Sequence, residues 1–205
     1  MRAIITGGPN CGKTSLINAL AGQGYQVVPE AAELAIKQMQ ARGIWNPADK
    51  DCIQDLQQRI LHVQIELDSR INPHQTPVFF DRSGGIEQIA YCGLYGLKVP
   101  NGVNSYVASH QFSRIYLLDR VPKWSANGIR YENEQTAKAV HEALAKAYTE
   151  QGYKIIRVPL FSQPQIADEK AAIKKAIEKR AEVIMKDLLN GGCHNATNAF
   201  AEATA

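Results

Sequence analysis

Apolar positions along this chain follow two rhythms: short unbroken runs, and longer stretches with an apolar residue every third or fourth place. The short runs are Arg2-Ala3-Ile4-Ile5-Thr6, Tyr25-Gln26-Val27-Val28, Thr76-Pro77-Val78-Phe79-Phe80, Arg114 to Leu118 and Tyr153 to Val158. Runs of that length suit strands buried on both faces of a parallel sheet. Between them the period lengthens to that of a helix. Leu16, Ile17 and Leu20 mark a first helix that ends at Gly22 and Gly24, and Ala31 to Arg42 marks a second that ends at Gly43. Asn46-Pro47 reads as a helix start, with Asn capping and Pro in the first turn. The stripe Ile53, Leu56, Ile60, Val63, Leu67 and Ile71 then carries that helix for about 24 residues, roughly 36 Å.

Ile86, Ile89 and Ala90 open a further helix that fades at Gly93 and Gly96, while 100–109 is turn-rich and yields no element. Residues 121–134 are polar and without period, and they read as a mobile loop after the fourth strand. Ala137, Val140, Leu144 and Tyr148 mark a helix closed by Gly152; Ile173, Ile177, Ile184 and Leu188 mark a last, lysine-rich one. Strands alternating with helices predict a parallel sheet covered on both faces, in one domain spanning 1–189. The Gly- and Ala-rich stretch 190–205 has little to bury and is expected to be disordered.

Composition narrows the function classes. A net charge of +3 over 205 residues is far from a nucleic-acid footprint. Cys11, Cys52, Cys92 and Cys193 are widely spaced with no C-x-x-C pair, which argues against zinc and a disulfide framework. A strand close to Met1 and the lack of any membrane-length apolar run lead us to expect a cytoplasmic protein. The five histidines are scattered and are assigned surface or helix-face roles.

The sharpest chemical signal is Gly7-Gly8-Pro9-Asn10-Cys11-Gly12-Lys13-Thr14, which fits G-x-x-x-x-G-K-T. Its four fixed positions arise by accident in roughly one chain in a hundred of this size. Here a predicted strand precedes it and a predicted helix follows it, as phosphate binding requires. The loop residues from Gly8 through Ser15 (Gly8, Pro9, Asn10, Cys11, Gly12, Lys13, Thr14, Ser15) form the candidate phosphate cradle, their backbone N–H groups helped by the helix N-terminus. Lys13 would reach the transferred phosphate and the Thr14 hydroxyl would ligate Mg²⁺.

Such a site also needs a carboxylate. Two strands end alike, in Asp81-Arg82 and Asp119-Arg120, both at the edge where open α/β sheets bind ligands. Asp81 is favoured for Mg²⁺, because the polar loop after Asp119 reads as a lid. Arg82, Arg120 and Arg130 are then candidates to stabilise transition-state charge. Glu30, placed by Pro29 just after the second strand, is either the base for an acceptor hydroxyl or a first-turn Glu favoured by the helix dipole.

Three segments carry a resemblance. TGGPNCGKTSLINALAGQGYQVVPEAAE (6–33), Phe80-Asp81-Arg82 and Asn127-Gly128-Ile129-Arg130-Tyr131-Glu132 resemble the NadR-like AAA-domain family of small P-loop proteins, over roughly residues 2–189. The resemblance implies a nucleotide-kinase-like α/β/α sandwich with a five-stranded parallel sheet of order 2-3-1-4-5, a lid after strand four, and ATP or GTP binding. It places the family's acid after strand two on Glu30 and its Asp-Arg pair on Asp81 and Arg82. Two departures fall on the acceptor side: Ser83 intervenes before Gly84, and Asn127 stands where the family usually has Asp. The expectation is an Mg-nucleotide-binding protein that phosphorylates a small molecule. The alternative is a nucleotide-switched module that hydrolyses slowly and docks a protein or lipid partner.

Overall fold

The central strand is β1 (Arg2–Thr6), and its alternation decides the layering. In the computed structural model, which describes residues 1–9, 11–120, 134–161 and 168–191, Ala3 and Ile5 point to one face and Ile4 to the other. Around it lie β2 (Gln26–Val28), β3 (Val78–Asp81), β4 (Arg114–Leu118) and β5 (Ile155–Val158), all parallel, in the order β2-β3-β1-β4-β5. Ile4 sits level with Phe80 on one side and Ile115 on the other. Every strand therefore delivers its C-terminal end to one edge of the sheet.

Helices α1 (Lys13–Gly22) and α7 (Glu169–Gly191) cover the Ala3/Ile5 face, where Leu16, Leu20, Ile184 and Leu188 pack on Phe79 and Tyr116. The Ile4 face is covered by α3 (Lys50–Ser69), α4 (Ile86–Tyr95), α5 (Val103–Ser109) and α6 (Glu134–Glu150), through Leu61, Ile86, Val103, Tyr106 and Tyr148. Fully burying one such side chain contributes about 1.5–3 kcal/mol. Helix α2 (Ala31–Ala41) packs on α3 through Ala35, Met39, Leu56 and Ile60. The result is the expected three-layer sandwich, with the expected strand order.

Three local expectations need correcting. The long helix begins at Lys50, not at Pro47: Asp49 is its cap and accepts from the Asp51 amide at 2.9 Å. Asn46 instead accepts from the Ala48 amide at 3.1 Å, closing a small turn of its own. Strand β3 begins at Val78, because Pro77 has no N–H to give a ladder, and the Val78 amide donates to Met1 O at 3.0 Å. The stretch 100–109 holds α5, a helix the intervening Asn and Ser residues concealed. Its Val103, Tyr106 and Val107 are buried at helical spacing, and Gly102 enters it with φ +92°. The expected loop at 121–133 and the segment after 191 lie outside the described residues.

The cap assignment is testable by urea unfolding. Asp49→Ala should cost about 1 kcal/mol, the usual loss for an N-cap. Asn46→Ala should cost clearly less, since it frees only an exposed turn; the opposite ranking would return the cap to Asn46.

Candidate functional site

The phosphate-loop sequence forms a tight turn between β1 and α1. Gly7 at φ +141° and Gly12 at φ +77° take backbone conformations that a side chain would strain. Space is short as well: a Cβ on Gly8 would lie 2.8 Å from Ala137 O on α6. Lys13 is buried and its ammonium donates to Gly7 O at 2.9 Å and Gly8 O at 3.0 Å. Burial, and then the nearby Arg82 guanidinium, push its pKa down. The Gly8 amide is occupied too, donating to His141 Nδ1 at 3.2 Å, and Pro9 has no N–H. Thr14 and Ser15 are exposed at the start of α1, and Cys11 is buried with its thiol pKa raised, chiefly by desolvation. Asn10 lies outside the described residues.

Beside the loop, the Thr14 hydroxyl donates to Asp81 Oδ2 at 3.5 Å, while Asp81 Oδ1 is buried with no hydrogen-bond partner among the described residues. Burial, and next the charge of Glu30, raise this carboxyl to about 6. Asp119 is placed differently. Its carboxylate is half exposed and 4.0 Å from Arg157, and its amide donates to Val158 O.

Arg82 is the hinge of the site's other half. Its backbone holds φ +75°, rare for a residue with a side chain. Its guanidinium lies 3.0 Å from Glu30 Oε1, pairs also with Glu87, and sits 5.8 Å over the Tyr91 ring. Burial works against that charge, but Glu30, Tyr91 and Glu87 together hold the pKa well above the ordinary arginine value. Glu30 stands at the N-cap of α2 yet makes no capping hydrogen bond; its carboxylate turns to Arg82 instead. Glu87 accepts from Thr6 Oγ1 at 2.5 Å and from the Tyr148 hydroxyl at 3.0 Å. Burial, and then Glu87, raise the pKa of Tyr148, which keeps it a neutral donor. Arg120 lies two residues past β4 with its Nε buried and unpartnered among the described residues; Arg130 lies outside them.

The structure thus gathers Lys13, Thr14, Asp81, Arg82 and Glu30 at one sheet edge. It adds three residues that the sequence reading passed over. His141, expected in a surface or helix-face role, lies on a face of α6 and turns that face to the loop, with Cys11 Sγ 3.8 Å from the same ring nitrogen. A histidine four residues after Ala137 on the apolar face was the available signal. Arg180 is a second, a lone arginine within the apolar stripe Ile177, Ala181 and Ile184. Glu87 gave none. Among the described residues no cluster of three or more His, Cys, Asp or Glu could hold a metal, and no helix is long and apolar enough to cross a membrane.

A family model described as an AAA domain matches residues 2–165. The chain belongs to the AAA domain family. Solved structures of a NadR protein and of two kinases share its fold. A NadR protein in complex with NAD and AMP-PNP superposes at TM-score 0.57 with 18% identity, covering 88% of this chain and 49% of that one. This AAA domain therefore spans about half the length of that relative. Deoxyadenosine kinase from M. mycoides superposes at 0.57 with 14% identity, covering 93% and 99%. Shikimate kinase from Acinetobacter baumannii does so at 0.56 with 16% identity, covering 94% and 95%. No match was found among curated proteins.

The His141 contact has a pH signature. Its Nδ1 can accept from Gly8 only while unprotonated, and burial, then Arg157, push its pKa below 6.5 in the fold. Below pH 6.5 the unfolded chain therefore takes up a proton the folded protein refuses, so stability falls as pH drops toward the folded value. His141→Gln keeps an acceptor that does not titrate. Melting temperatures from pH 7.5 to 5 should fall less steeply for this variant than for wild type; equal slopes would contradict the contact.

Proposed function

We propose that this AAA domain binds a nucleoside triphosphate with Mg²⁺ and transfers the γ-phosphoryl group to the hydroxyl of a small molecule. One observation carries the reading: phosphate-binding Lys13 and Thr14 share a sheet edge with a carboxylate, Glu30, held beside but not enclosed by Arg82. The half-length match to a NadR bound to AMP-PNP, and those to two enzymes named as kinases, support it. ATP is the nucleotide we would try first, GTP the second.

The metal fits the residues present. A hydroxyl and a carboxylate, one oxygen of which lacks a partner among the described residues, are the hard oxygen donors that Mg²⁺ prefers beside phosphate. When bound there, Mg²⁺ would neutralise phosphate charge. Thr14 and Asp81 would hold it, and the loop amides with Lys13 would orient the phosphates. Of the two carboxylates on Arg82, Glu30 is 22% exposed and Glu87 4%, so Glu30 is the one an acceptor can meet. It would take the proton from the acceptor hydroxyl as the oxygen attacks phosphorus and the β–γ bond breaks. Arg82 would hold Glu30 ionised and aimed, while Arg120 and Arg130 are candidates to meet charge on the transferred group. The rival switch module requires no such base. Free buried thiols at Cys11, Cys52 and Cys92 suit the cytoplasmic setting that belongs to this proposal.

Two measurements test the assignment. Asp81→Asn should weaken the Mg²⁺ dependence of ATP binding and abolish turnover, while Asp119→Asn should do much less; the reverse ranking would move the metal to β4. Glu30→Gln should cut phosphoryl transfer by about 10²–10⁴-fold with ATP still bound. Wild-type transfer by that variant, measured with labelled ATP and a pool of metabolites, would remove Glu30 as the base.

A further inference from the structure

The family match ends at residue 165, yet a side chain beyond it reaches the phosphate loop. Arg180, on α7, is buried at 3% exposure. Its Nη1 donates to Cys11 O at 2.6 Å, Nη2 to Asp119 O at 2.8 Å and Nε to Pro159 O at 3.0 Å. These carbonyls belong to the segments that follow β1, β4 and β5. A planar fork of five donors can span three main-chain acceptors in this way, whereas burying that cation without using its donors would be costly.

Peptide geometry turns this contact into a statement about the site. In a trans peptide the C=O and the following N–H point in opposite directions. Fixing Cys11 O on α7 therefore fixes the Gly12 N–H away from α7. We propose that Arg180 is a positioning residue of the phosphate site: it orients the Cys11–Gly12 peptide so that the Gly12 amide joins the unpaired amides of α1's first turn in facing phosphate. Gly12 allows the orientation through its φ of +77°, which a side chain would strain, whereas space is not the constraint: a Cβ there would meet Arg180 Nη1 at an ordinary 3.5 Å. A second peptide is fixed in the same manner from the other flank. Gly7 O is held by Lys13 and the Gly8 N–H by His141. Helices α6 and α7 thus each hold one peptide of the loop. For its ligand the inference rests on the nucleotide-binding reading; for its geometry it does not.

The test pairs a spectroscopic readout with a binding one. In ¹⁵N–¹H spectra of the free protein, Arg180→Met should displace the Gly12 amide resonance well beyond those of other α1 residues. ATP affinity, measured by calorimetry with Mg²⁺, should fall about ten- to a hundredfold, the scale of a lost charge-assisted hydrogen bond. Arg180→Lys keeps the charge without the planar fork, and should resemble the Met variant in both readouts. Ile184→Ala, one turn further along the same helix and with no polar atom to hold a peptide, should lower the melting temperature while leaving ATP affinity unchanged well below it. Wild-type affinity in Arg180→Met, full recovery in Arg180→Lys, or an equal affinity loss in Ile184→Ala would each overturn the proposal. Should the Met variant fail to fold, the Lys variant decides through the same pair of readouts. Absence of ATP and GTP binding in the wild type would sink the nucleotide reading instead, and the Gly12 resonance would still decide whether Arg180 sets this peptide.

Discussion

A guanidinium placed between two carboxylates at the ligand edge of the sheet organises much of this molecule. Arg82 brings Glu30 off its helix cap and pulls Glu87 inward, and Glu87 in turn draws Thr6 and Tyr148 into its shell. Two cations, Lys13 and Arg82, then face three carboxylates, Asp81, Glu30 and Glu87. One negative charge is left over, and at Asp81 burial, and next the charge of Glu30, raise the carboxyl to about 6. A carboxylate in that position favours a proton or a cation as its partner. The acceptor side and the metal side of the site are thus parts of one charge balance.

Much of the frame was readable because its physics is local. β1 and β4 are continuous apolar runs at the predicted residues, and the phosphate-loop signature depends on fixed spacing within eight positions. The Asp-Arg pair after β3 was readable for the same reason. The start of α3 was misread because both Asn46 and Asp49 suit a helix cap, and only the fold shows which one lies on the helix axis. α5 was hidden because seven residues carry too few apolar positions to display a period.

The contacts of His141, Glu87 and Arg180 are of another kind. His141 meets Gly8 across 133 positions and Arg180 meets Cys11 across 169. Nothing local distinguishes Glu87 from an ordinary first-turn acid of α4, which the sheet then buries. His141 and Arg180 did interrupt apolar faces, and a polar residue on such a face must find a partner or be expelled. That rule was available from the sequence; the identity of the partner was not.

The strand order also bears on the sequence of events when the chain is made. β1 leaves the ribosome well ahead of its two neighbours, β3 and β4, which begin 76 and 112 residues after it. During that interval Ala3, Ile4 and Ile5 have no sheet to join. Closing loops of such length before any pairing is gained makes parallel sheets slow to form. Of the five strands, nascent β1 is therefore expected to wait longest for its neighbours, exposed meanwhile to a chaperone or an aggregating neighbour.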